Sequence, residues 1–142
     1  MSNRLAKFKL EMKDYATRQR ASVEYNGEVV SLDSDLKTYL YRFFETDAGT
    51  LMIGIDFSKE KIIITETNDN VKMRMELSLD ETGKCTYRLD TNHSMNLFTK
   101  TFTLKLTEEE VVLEYDLYDS DKLDKPVTAN KVTITAEREK LC

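Results

Sequence analysis

The sequence predicts an all-β protein built as a single antiparallel up-and-down β-barrel of about 8–10 strands. Three observations predict it. Apolar and polar residues alternate with period two along most of the chain. In "VKMRMELSLD", Val71, Met73, Met75, Leu77 and Leu79 fall on one side, with Lys72, Arg74, Glu76, Ser78 and Asp80 on the other. A strand sends successive side chains to opposite faces, whereas a helix would scatter these around its axis. The alternating segments are separated by short turns such as "DETG" and "TDAG". Finally, 142 residues, 40% of them hydrophobic, suffice for one domain (1–142) with a core that needs no metal or disulfide staple.

From the N-terminus, residues 4–16 fit two patterns. Leu5, Phe8, Met12 and Tyr15 have helical spacing; Ala6, Phe8, Leu10 and Met12 have strand spacing. Asn26-Gly27 reads as a hairpin turn, since both central residues of that turn need positive φ. "LKTYLYRFFE" is apolar on both faces: Tyr39, Tyr41 and Phe43 on one, Leu36, Leu40 and Phe44 on the other. Such a strand is covered on both sides, which makes Leu36, Leu40 and Phe44 candidates for an interface. In "TLMIGIDFS", Leu51, Ile53, Ile55 and Phe57 point inward, and mid-strand Gly54 marks a bulge or bend.

After "KEK" comes the β-branched run Ile62–Ile64, then the 71–80 strand and the turn "ETGK". "CTYRLD" completes that hairpin with Cys85, Tyr87 and Leu89 inward. In "FTLKLTEEEVVLEYDLY", Phe102, Leu104 and Leu106 share a face that resumes after the glutamates at Val111, Leu113, Tyr115 and Leu117. Glu114, Asp116 and Tyr118 point outward. Pro126 lies in the loop "DSDKLDKPV", outside the ladders. "VTANKVTITAE" supplies a last strand with Val132 and Ile134 on one face.

The residues offer little catalytic chemistry. His93 is the sole histidine, in the polar stretch "DTNHSMN". One His and two distant Cys, Cys85 and Cys142, do not make a zinc site. Four glycines build neither a P-loop nor a dinucleotide fingerprint. Asp119, Asp121 and Asp124 lack the glycine and terminal glutamate of a calcium loop. The expectation is a non-enzymatic protein with no cofactor and no metal.

A net charge of −5 disfavours nucleic acid as a partner. It is unevenly spread: the first twenty residues carry six Lys/Arg against Glu11 and Asp14, leaving 15 basic and 24 acidic residues beyond. The simplest reading of the basic segment is a solvated outer face. No run of 18 apolar residues predicts a membrane span. Two cysteines, and no apolar stretch near the N-terminus, fit a reducing cytoplasmic location.

From about residue 20 onward, the landmarks "YLYRFFETDAG", "VKMRMEL", "TYRLDT" and "VVLEYDLY" resemble the YwiB-like family of small bacterial proteins. They correspond to an aromatic-rich strand ending in an acid, a Lys-Met strand, a Tyr strand and a late strand ending Tyr-x-Leu. Where that family tends to have Arg-x-Gly before the Lys-Met strand this chain reads "TETNDN", and where it tends to have glycine after the Tyr strand this chain reads "TNHSM". The resemblance implies a calycin-like barrel, akin to lipocalins and fatty-acid-binding proteins, and a strand at the N-terminus. It implies no activity.

Two functional expectations follow. One is a lumen that binds a small apolar, amphipathic or lipid-like molecule through Phe57, Met73, Met75, Tyr87, Phe102 and Tyr115; the bland account is that these simply fill the core. The other is a solid barrel acting as a protein-interaction module or homodimer through Leu36, Leu40 and Phe44.

Overall fold

The structure, a computed structural model, describes residues 4–33, 38–44, 49–68, 71–88, 93–107, 109–120 and 122–137; of residues 31–33 it describes the backbone. Ten strands follow in order: β1 (Arg4–Asp14), β2 (Arg20–Asp33), β3 (Thr38–Phe44), β4 (Thr50–Asp56), β5 (Lys61–Thr67), β6 (Lys72–Ser78), β7 (Thr82–Arg88), β8 (Ser94–Leu106), β9 (Glu110–Tyr118) and β10 (Pro126–Ala136). Each pairs antiparallel with its sequence neighbours, and β1 pairs with β10 to close an up-and-down barrel. Closure gives every strand a partner on both sides.

The N-terminal segment is a strand. Ala6 and Phe8 are buried inside while Lys7 lies outside. Its turn comes directly after it: Asp14 Oδ1 accepts hydrogen bonds from Ala16 N at 2.8 Å and Thr17 N at 3.1 Å, and Arg18 takes the left-handed conformation.

The hairpin expected at Asn26-Gly27 is therefore not there; both residues lie within β2, and Gly27 has no positive φ. What demands glycine at this position is closeness. A Cβ on Gly27 would overlap the Arg42 carbonyl oxygen and the Phe43 ring. Gly54 is not a bulge either: it pairs in unbroken register with Leu40 and Ile63.

The strand β3 turns its aromatic row into the barrel. Tyr41 and Phe43 are buried, and Phe43 packs on Phe8 with ring centroids 5.5 Å apart. Phe8 in turn stacks on Tyr25 at 5.8 Å. Ile53, Ile55, Ile62, Leu77, Val111, Leu113 and Ile134 complete the packing of the interior.

At "TEEE" the chain makes the turn between β8 and β9. Thr107 Oγ1 accepts from Glu110 N at 2.9 Å and donates to the Glu110 carbonyl at 2.7 Å. Before that turn, β8 carries a bulge between Thr101 and Thr103. An extra residue shifts the alternation by one. Thr99 and Thr101 thus point inward and are fully buried, Leu104 and Leu106 pack against the core from beyond the bulge, and Phe102 is left outside at 52% exposure. Phe102 therefore does not face the interior, as simple alternation predicts it would.

Two smaller readings also change. Pro126 opens β10 opposite Tyr118 rather than lying in a loop, a position where its missing N–H is tolerated. Tyr118 keeps its outward register but is buried.

Candidate functional site

The interior is not filled evenly. Toward the end where β1, β5, β7 and β9 finish lies a cavity of about 180 Å³. Its apolar lining includes Phe8, Leu10, Ile64, Met73, Met75 and Val132. Interleaved with these are the polar side chains of Tyr25, Glu66, Cys85, Tyr87, Tyr115, Thr128 and Asn130.

Strand register explains the grouping. Glu66 pairs with Met73, and Met73 with Tyr87, so these three form one inward row across β5, β6 and β7. Cys85 lies one inward step further along β7, opposite Met75. From the other side, Asn130 of β10 pairs with Tyr115 of β9 and with Met12 of β1.

Asn130 is held firmly. Its Nδ2 donates to Thr128 Oγ1 at 2.9 Å, with the Thr128 and Tyr115 carbonyl oxygens at 3.4 and 3.5 Å. Three acceptors around one end of the amide place the nitrogen there and the oxygen opposite. Among the described residues nothing donates a hydrogen bond to that Oδ1, and none pairs with the Glu66 carboxylate.

Burial governs the titration of the rest. It pushes the Cys85 thiol up to about 11, with a Tyr87 hydrogen bond acting the other way. It pushes the Tyr87 phenol up to about 12, helped by Cys85 and Glu66, and raises Tyr115 well above its ordinary value. At neutral pH all three are protonated. A buried, protonated thiol is a poor nucleophile.

Of the expected lumen residues, Met73, Met75, Tyr87 and Tyr115 meet around the cavity. Phe57 does not; it packs on Tyr39 with centroids 5.1 Å apart. Phe102 lies on the outer surface, in a groove with Glu11, Arg20, Glu114 and Lys131. Glu66, Thr128 and Asn130 do not stand out among the apolar members of each alternation. Their signal is parity: Ile62, Ile64 and Glu66 share a face, as do Thr128, Asn130, Val132 and Ile134.

On the outer surface, Val30, Leu40, Gly54 and Ile63 stand in register across β2 to β5, all partly exposed. Phe44 is 56% exposed, with the Arg42 guanidinium 5.6 Å from its ring centre. Leu36, Leu89 and Cys142 lie outside the described residues. His93 is exposed.

These features define a class: a closed ten-stranded up-and-down barrel with a part-polar internal cavity. The crystal structure of ywiB protein from Bacillus subtilis has the same kind of fold, with a TM-score of 0.68 at 12% sequence identity, over 96% of this chain and 93% of that one. No family model matches the chain, and no curated protein matches its sequence. At this identity the likeness shows the fold alone.

Proposed function

We propose that the protein is a non-enzymatic, calycin-like binding module of the cytoplasm that takes a small amphipathic molecule into its barrel. The observation that carries this reading is the cavity of about 180 Å³, lined mainly by apolar side chains with polar ones set among them. Ligand sites are mostly apolar with a few placed polar groups that fix orientation. Methionines at positions 73 and 75 suit an adaptable wall. Native mass spectrometry of protein purified gently from its own type of host tests the reading. The expected result is extra mass that leaves on denaturation; a bare mass, at one chain or two, would overturn it.

A second reading is favoured by the outer row through Leu40 and by exposed Phe44, which suit a homodimer seam or a protein-interaction surface. On this reading Leu40→Glu shifts sedimentation toward monomer with the fold intact. An unchanged profile in a folded variant would sink it.

A further inference from the structure

We infer that the cavity selects a ring-sized ligand whose polar end donates hydrogen bonds, an amine or alcohol rather than a carboxylate. The inference rests on the binding reading above and specifies the ligand class of that same cavity.

Size sets the first limit. An apolar cavity of about 150 Å³ accommodates a single benzene. At about 180 Å³ this one encloses one ring or a short branched chain, less than an extended acyl chain.

The polar lining sets the second limit. Among the described residues it contains one carboxylate, Glu66, and no Lys, Arg or His. The Glu66 oxygens and Asn130 Oδ1 have no donor among the described residues. Both are acceptors, and acceptors that lose water without gaining a donor are costly. A ligand ammonium or hydroxyl supplies that donor. A ligand carboxylate meets Glu66 as a like charge, with only neutral hydroxyls such as Tyr115 to offset it.

Four probes of common size test this: toluene, benzyl alcohol, benzylamine and benzoate, titrated calorimetrically into wild-type protein. Benzylamine and benzyl alcohol should bind at least about tenfold more tightly than benzoate, a difference of about 1.4 kcal/mol. Glu66→Gln should bring benzylamine and benzoate within about threefold of each other, since it keeps the shape and removes the charge. Should that variant not fold, the wild-type ranking alone decides. Benzoate binding as tightly as benzylamine, or a benzylamine preference unaltered in folded Glu66→Gln, would overturn the inference while leaving a binding lumen in place. Failure of all four probes, toluene included, would overturn the lumen reading itself.

Discussion

Gly27 and Gly54 both lie in mid-strand with ordinary backbone angles, yet substituting alanine should move stability in opposite directions. At Gly27 the new Cβ would overlap the Arg42 carbonyl oxygen and crowd the Cα and ring of Phe43. Two of those three obstacles are backbone, so no rotamer change clears them; β2 and β3 must separate locally. Overpacking of this kind costs about 1–3 kcal/mol, and rigid neighbours put Gly27 at the upper end. At Gly54 nothing lies within 4 Å of the added carbon. There the alanine only restricts the unfolded chain, a gain of about 0.5 kcal/mol. For a chain of this length 1 kcal/mol corresponds to about 4 °C in melting temperature. Gly27→Ala should therefore lower Tm by about 12 °C and Gly54→Ala raise it by about 2 °C. Melts followed by circular dichroism decide. If Gly27→Ala leaves Tm unchanged or raises it, the close approach of β2 to β3 is refuted, and with it the account of why Gly27 is glycine.

Two further outcomes are expected. Phe102→Ser should change stability by less than about 0.5 kcal/mol because the ring is outside, whereas Phe43→Ala should cost about 3–5 kcal/mol; comparable costs in urea unfolding would mean the β8 bulge is misplaced. On the alkaline side, the folded state holds the Cys85 and Tyr87 protons to about 11 and about 12, against ordinary values of 9.0 and 10.0. Above pH 9 the unfolded chain sheds these protons first, so stability should fall from there toward the folded-state values. Melting temperatures across this range should decline less steeply in a Cys85→Ala, Tyr87→Phe double variant, and an identical slope would count against burial as the cause.

How far the fold was legible depends on which rule governed each segment. Period two holds wherever the ladder is regular, so β6 and β9 could be read with their faces correctly assigned. It fails at Phe102 because one extra residue inverts parity, and no residue in "TKTFTLKL" announces a bulge. Asn26-Gly27 misled for a different reason. The dipeptide suits a turn, but strand pairing overrode that local preference, and the glycine answers a contact with β3 that no sequence neighbour reveals. The N-terminal segment could not be decided locally because four apolar residues fit each period, with Phe8 and Met12 in both sets; pairing with β2 and β10 decides it. As for the cavity, its methionines and tyrosines stood out by composition. Its acceptors did not, since Glu66 and Asn130 look like ordinary surface residues until register places them inside.

The distribution of polar groups along the barrel gives the binding reading its physical force. Around one end, inward positions are filled by Tyr41, Ile55, Ile62, Leu77, Val111 and Ile134, all buried. Toward the other, the same inward registers carry Glu66, Tyr87, Tyr115, Thr128 and Asn130. For stability alone the second set is the poorer choice. A buried polar group without a full complement of hydrogen bonds costs about 1–3 kcal/mol, and apolar residues of similar volume would pack the space. Asn130 recovers part of this through Thr128 and Tyr115, while its oxygen and the carboxylate of the partly exposed Glu66 take no hydrogen bond from the described protein groups. Replacing both with apolar isosteres, as in Glu66→Met with Asn130→Leu, should therefore cost no stability while abolishing benzylamine binding. A variant of undiminished stability that still binds the amine would separate the polar lining from ligand selection. A destabilised one would mean that these groups serve the fold through contacts beyond those described.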